Sequence, residues 1–409
     1  MKKTLATLLF ISFLDMLGIG ILIPVIPMLF TNAESPYFVV HNAYLAQYAY
    51  VFMGLLLATF PFAQFFAAPI LGQLSDKFGR KKILIFSQAG TSLGYILFSL
   101  GVVFTSLPLL FISRLIDGFT GGNIAVAQAA IADSTPPQAR ARTFGLMGAV
   151  FGLGFIVGPF LGGVLSSPHI VSWFSPAIPF WFAAILSGTN TIITSLILKE
   201  THPSPQRELR IDMAKSVHNV IKAFNIQKLK YLFLTSLFFQ SGFSFFTSFS
   251  SVYLIHRFNF NQTDLGNYFG YIGLWIIFTQ AVVTRWLSKR VSEAKILSFT
   301  MFICAFSICL HFVPTQAWQL LLVVPVFALS NGLTQANLMG LLSRQADASI
   351  QGEVLGINSS MQALANTIPP LVAGFLAESI SPSAPMVVAI IVITLAAITF
   401  VLKKTKVAN

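Results

Sequence analysis

Apolar runs of bilayer-spanning length alternate with short polar connections along most of the chain. Twelve such runs cover residues 4–30, 46–70, 83–106, 108–133, 143–166, 176–198, 231–256, 265–286, 296–313, 318–342, 354–377 and 384–402. Each approaches the roughly 20 residues that a helix needs to cross the hydrocarbon core, and none shows the strict alternation of a half-buried strand. The pattern predicts an all-α polytopic membrane protein. The first run is too long for a signal peptide, carries Asp15 and two prolines, and lacks a small-residue cleavage site, so it is taken as the first span.

One long polar connection, residues 199–230, divides the spans six and six. It holds an amphipathic run, MAKSVHNVIKAFNIQKLK. The expected organisation is a six-helix bundle over 1–198, a cytoplasmic linker over 199–230 and a second six-helix bundle over 231–409. An internal repeat supports it. A shift of 211 residues lays Gly145 on Gly356, Pro159 on Pro370, Gly163 on Gly374 and Gly121 on Gly332. A shift of 213 lays LSDKFGRKKIL on LSKRVSEAKIL. Two parallel six-helix halves with a site between them make a transporter architecture.

Composition agrees, with 55% hydrophobic and only 9% charged residues; soluble domains average about 25% charged. The net charge of +12 would suit a nucleic-acid binder, but its distribution argues otherwise. With the amino terminus inside, 23 of the 25 Lys and Arg fall on the cytoplasmic side, which places both termini there. The basic excess is thus an orientation signal, and no nucleic-acid partner is expected. Trp173 and Trp318 near outer helix ends, and Trp286 near an inner one, suit interfacial anchors. No His or Cys spacing suggests a metal site, no phosphate-binding loop suggests ATP drive, and no nucleophile–base pair suggests an enzyme.

Three stretches carry more specific information. LGQLSDKFGRKKIL, residues 71–84, packs two glycines, one acid and four bases between two apolar runs. Its glycines suit a sharp turn, and its lone acid, Asp76, could cap a helix amino terminus. Span five repeats small residues at Gly154, Gly158, Gly162 and Gly163, a face that lets helix backbones approach closely, and Pro159 bends it. Span one reads LDMLGIGILIPVIP.

On these residues the chain resembles the major facilitator superfamily. Gly72, Asp76, Gly79 and Arg80, with the two following lysines, match its cytoplasmic loop signature. Gly145, Gly154, Gly158, Pro159, Gly162 and Gly163 match its proton-antiporter signature, and the first span is similar to that of twelve-span drug/proton antiporters of the tetracycline-exporter type. The resemblance implies that Asp76 caps the start of span eleven near Gly352 as one half of a cytoplasmic gate. It also implies that the glycines of span five form a tight, dry interface with the other half.

Ionisable groups inside a bilayer are costly and mark function by default. Away from helix ends these are Asp15, Arg114 and Asp117. Asp15 lies twelve residues past Lys3, about 18 Å deep, a place that suits a coupling proton. Arg114 and Asp117 are three apart on one helix face. They form either a self-contained ion pair or a pair in which Arg114 exchanges partners with Asp15 or substrate. The frame of Arg114 and Gly118 resembles the superfamily's proton-transfer motif, with Asp117 where a neutral polar residue is common. Tetracycline exporters carry an acid in span three in a context like TSLGY, where this chain has Gly94, which argues against a metal-chelated drug as cargo.

The carboxyl-terminal half has neutral amides at the corresponding depth: Gln240 in span seven, Gln335 and Asn337 in span ten, and Asn358, Gln362 and Asn366 every four residues on span eleven. With Asn123 and Gln128 of span four they are the candidate lining of a substrate cavity. The expected function is a proton-coupled antiporter exporting a small amphipathic or drug-like molecule. Its partners are protons, substrate and membrane lipid, it needs no cofactor beyond the proton, and it acts as a monomer in the inner membrane. The alternative is a dedicated metabolite, siderophore or nutrient carrier on the same fold.

Overall fold

The structure is a computed structural model that describes residues 2–135, 137–202, 212–227, 229–345 and 351–408. Among these residues every regular element is helical. Among the described residues, nine helices are long and apolar enough to cross a membrane. Three further stretches of similar length, Pro137–Leu165, Gln262–Leu287 and Gln351–Ser379, complete the expected twelve.

Spans one, two and three are Lys2–Thr31, Ala49–Phe78 and Arg80–Val103. Span four is broken, Leu107–Thr120 then Asn123–Ser134. Span five is Pro137–Leu165 and span six Ile178–Ile197. After the linker helix Lys215–Asn225, span seven is Lys230–Phe258. Span eight runs from Gln262 through a π-helical stretch, Thr279–Val283, to Leu287. Spans nine to twelve are Glu293–Leu310, Leu320–Gln345, Gln351–Ser379 and Ala384–Ala408.

Two of the boundaries differ from the expectation. The stretch 71–84 is no extended turn: span two continues to Phe78, span three starts at Arg80, and Gly79 alone reverses the chain. Gly79 has φ +95°, a conformation that glycine adopts without steric cost. Gly72, expected to help form the turn, is helical with open space beside it. Span four breaks at Gly121 and Gly122, where the lack of side chains lets the backbone press against Phe60 and Ala68 of span two.

The chain forms two compact units. The first holds Met1–Ala49, Thr59–Lys215 and Asn261–Gly270. In it span one packs on spans five and six, and span three on spans four and six. The second holds Tyr50–Ala58, Ser216–Phe260 and Tyr271–Asn409. Here span seven packs on spans eleven and twelve, and span nine on spans ten and twelve. The same four partnerships therefore recur six spans apart.

Each unit also contains close backbone contacts between glycines. In the first, a Cβ on Gly163 would lie 2.9 Å from Gly266 Cα; in the second, a Cβ on Gly54 would lie 3.1 Å from Gly374 Cα. Gly163 and Gly374 are the residues superposed by the 211-residue shift.

The first unit is layered along its spans. Arg80, Asp76 and Asp133 form a charged cluster. Next come apolar residues: Leu8 and Ile11 of span one, Leu71 of span two, Ile83 and Leu84 of span three, and Val126, Ala127, Ala130 and Ile131 of span four. Beyond them lie Asp15, Gln64, Gln88, Thr91 and Asn123.

Candidate functional site

Asp15, Arg114 and Asp117 come together with Asn123 in the first unit, with Arg114 paired to Asp117 rather than to Asp15 in this structure. Arg114 is 2% exposed and pairs with Asp117, its Nη2 3.0 Å from Asp117 Oδ2. The guanidinium lies among the rings of Phe98, Phe60 and Tyr95, at 4.9, 5.8 and 6.0 Å from their centroids. Ring faces are attractive to a desolvated cation, so Arg114 is held by one carboxylate and a sleeve of aromatic carbon. Asp15 instead accepts a hydrogen bond at Oδ1 from Asn123 Nδ2, at 3.2 Å. Asp15 Oδ2 is sealed from solvent and has no hydrogen-bond partner among the described residues, nor has Asn123 Oδ1.

The break in span four explains why Asn123 stands there. Gln64 donates to the carbonyl of Gly121 at 2.7 Å, satisfying a group that the interruption frees. Asn123 then opens the second half of the span, fully buried, so Asp15 faces the amino terminus of a helix, an end that favours negative charge.

Gly94 supplies room for Asp117. A Cβ at Gly94 would lie 2.9 Å from Asp117 Cβ, too close for both side chains. Asp117 of span four thus occupies the space beside Gly94 of span three. Gly18 similarly makes way for the phenol of Tyr95. Two small cavities, each with room for about one water molecule, adjoin Asp15. One is lined by Gln88, Thr91, Tyr95 and Asn190, the other by Gln64, Tyr95 and Asp117. Gln128, expected on the cavity with Asn123, is partly buried and lines neither.

In the second unit the amides bond to one another. Gln335 Nε2 donates to Gln240 Oε1 at 3.1 Å, and Gln240 Nε2 donates to Asn366 Oδ1 at 3.2 Å, tying spans ten, seven and eleven in a chain. Ser236 donates to Asn358 at 3.0 Å. Asn337 turns back on its own helix, bonding to the carbonyl of Leu333, and Gln362 is partly buried. Phe243 stacks beside Phe327 next to this chain.

The charged cluster is richer than the sequence signature suggested. Arg80 pairs with Asp76 at 2.7 Å and with Asp133 at 3.2 Å. Glu200, after span six, accepts from the backbone N–H of Arg80 at 2.9 Å and of Lys81 at 3.2 Å. Glu200 therefore caps the amino terminus of span three. Asp133 and Glu200 were missed because each is far from the motif in sequence; the signal available was that both are acids at the ends of apolar runs on the basic side. The side chain of Glu353 and the surroundings of Gly352, where Asp76 was expected to act, lie outside the described residues.

The glycines of span five also need correction. Gly154, Gly158 and Gly162 pack on span one, against Phe13 and Met16, Leu17 and Gly20, and Ile21 and Pro24. Only Gly163 meets span eight. Steps of four residues keep the first three on one face, while Gly163, one residue further, points about 100° away. The surroundings of Gly145 lie outside the described residues.

Twelve spans in two repeated helix sets, with buried charge in one and a polar amide chain in the other, define a secondary membrane transporter. The chain belongs to the Major Facilitator Superfamily, whose profile matches residues 8–370 and 286–408. It is 33% identical to the class H tetracycline resistance protein of Pasteurella multocida, across 92% of this chain and 89% of that protein. It is 27% identical to multidrug resistance protein 1 of Bacillus subtilis (strain 168), across 91% and 89%. Among solved structures it resembles the human organic anion transporter MFSD10 (TETRAN), with a TM-score of 0.73 at 21% identity over 98% of this chain and 99% of that one, a likeness of fold.

Proposed function

We propose that this protein exports a small amphipathic, cationic or drug-like molecule in exchange for protons, and that Asp15 is the group both compete for. The observation that carries the reading is the charge balance of the first unit. Arg114 and Asp117 neutralise each other, leaving Asp15 as the carboxylate without a cation and with one oxygen unpartnered. An uncompensated charge away from water is costly. A proton on Asp15 removes that cost, and so does a substrate cation beside it. The site then reorients with one or the other bound, never with both, which is the condition for antiport. Asn123 holds Oδ1 and leaves Oδ2 for the proton or cation.

Within the second unit, the candidate substrate contact is the chain of amides. Gln240, Gln335 and Asn366 present amides that can trade their mutual hydrogen bonds for bonds to substrate, with the partly exposed Phe243 offering apolar surface. Transport proceeds by alternating access, as the superfamily fold provides. The protein lies in the inner membrane with both termini in the cytoplasm, which the basic residues support. It works as a monomer, and needs no cofactor besides the proton. The resistance proteins among its relatives support export over a dedicated metabolite, siderophore or nutrient carrier.

The test uses everted vesicles acidified inside and a pH-sensitive dye. Lipophilic cations and tetracycline should each be offered as substrate, and proton release on adding a compound is expected from the wild type. Asp15→Asn should abolish release while the protein still folds. Release that survives Asp15→Asn would refute Asp15 as the carrier, and no release with any compound would refute the antiport reading.

A further inference from the structure

The linker helix Lys215–Asn225 has three distinct sides. At 100° per residue, Ser216, Asn219 and Ala223 fall within about 60° of one another. This side faces the protein: Ser216 and Ala223 are buried, and Asn219 donates to Ser360 of span eleven at 3.1 Å. Val217, Ile221 and Phe224 also lie within about 60° of one another, on a second side, and Met213 continues that stripe just before the helix. All four are at least 40% exposed. Lys215 and Lys222 occupy the third side, across the inner one from the stripe. A helix in water does not expose a continuous apolar edge beside its packed face, so the stripe requires a non-aqueous environment.

The level at which this helix is held indicates which environment that is. Span two has 30 residues and span eleven 29, about 45 and 43 Å long, so each exceeds a hydrocarbon core of about 30 Å by some 7 Å per side. The approach to the helix is fastened by Asp212, whose N–H donates to Gln73 at 2.9 Å, five residues from the end of span two. That is close to the boundary of the core. Ser360, which receives Asn219, is nine residues into span eleven and lies somewhat inside the boundary. Amphipathic helices that lie in a membrane interface sit with their apolar side about 5–10 Å into the boundary between headgroups and acyl chains.

We propose that Lys215–Asn225 is an in-plane lipid-binding element. Its Val217, Ile221 and Phe224 edge inserts between acyl chains of the cytoplasmic leaflet, and its lysine edge contacts anionic headgroups. The anionic surface is favoured as occupant by charge: the whole 199–230 segment carries seven of the chain's 25 basic residues. Anionic lipid on that leaflet attracts such segments, at about 1 kcal/mol per basic group near the surface. Through Asn219 and Ser360 the helix would tie lipid composition to span eleven. The inference rests on the cytoplasmic placement of the linker given above.

The experiment places nitroxide labels at Val217→Cys and, on the opposite edge, at Lys215→Cys, in full-length protein with Cys304 and Cys309 replaced by alanine. The samples are nanodiscs made with one-third phosphatidylglycerol and with phosphatidylcholine alone. The Val217→Cys label should collide readily with oxygen and poorly with a water-soluble nickel chelate, and the Lys215→Cys label should do the reverse. Removing the anionic lipid should raise chelate access at position 217 several-fold. Equal chelate access at both positions would put the stripe in water. Shielding of position 217 from both reagents would mean that protein covers it. Indifference to phosphatidylglycerol would refute the anionic occupant. Each of these outcomes overturns the proposal. None depends on transport, so failure of the antiport reading would be recognised separately in the vesicle assay.

Discussion

Exchanging the residues at positions 94 and 117 tests whether the carboxylate of Asp117 belongs to a place in the bundle or to one helix. Asp117→Gly leaves Arg114 buried without a counter-charge, a change that costs about 3–5 kcal/mol in a protein interior. Gly94→Asp alone sets two acidic side chains where their Cβ atoms would be 2.9 Å apart, adding about 1–3 kcal/mol of overpacking along with repulsion. The double variant, Gly94→Asp with Asp117→Gly, restores one acid and one gap. Moving the carboxylate from 3.0 Å to about 6 Å from Arg114 lowers their attraction from about 5.5 to about 2.8 kcal/mol at an effective dielectric constant of 20. About half of the pairing should therefore survive. Thermal unfolding in detergent, combined as a double-mutant cycle, should show the two substitutions compensating by about 2 kcal/mol or more, with partial recovery of proton release. Additivity within about 0.5 kcal/mol would mean that positions 94 and 117 are not coupled, and the argument that Gly94 makes room for the Asp117 carboxylate would fail.

Glu200→Ala should lower stability by about 1 kcal/mol, the usual worth of a helix cap, without altering which compounds are transported; thermal unfolding and a substrate panel check both. Gly158→Val should prevent close approach of spans one and five, because even a Cβ there would lie 2.5 Å from the carbonyl of Leu17. Loss of folded yield is expected, and normal yield and transport would contradict the contact. Gln240→Ala should break the amide chain at its middle and raise KM for substrate several-fold. The pH dependence of transport should stay with Asp15, so a shifted pH profile in Gln240→Ala would place the amide in the proton path.

Periodicity and composition carried the twelve spans, because the bilayer imposes a length and an apolar requirement on each segment. The Arg114 and Asp117 pair was legible for a similar reason: three residues along a helix bring two side chains together whatever the surrounding fold. Other contacts depend on packing between distant segments. Asn123 meets Asp15 only because span four breaks at Gly121 and Gly122. Gly154, Gly158 and Gly162 formed an evident small-residue face, but nothing local says which helix fills it. In the 71–84 stretch, charge density resembled a loop although all but one residue is helical. Charged residues at a span's end serve equally well in either conformation, and only the φ of Gly79 distinguishes them.

The mutual neutralisation of Arg114 and Asp117 has an electrical consequence. If Asp15 carries a proton in one direction and a monovalent cation in the other, the first unit has the same net charge in both crossings. Reorientation would then move no charge through the field, and the exchange would be electroneutral, driven by the pH gradient alone. A neutral cargo would instead leave the cycle carrying one charge, worth about 2.3 kcal/mol per 100 mV. The voltage sensitivity of transport is therefore a direct measure of the charge on the cargo, compound by compound.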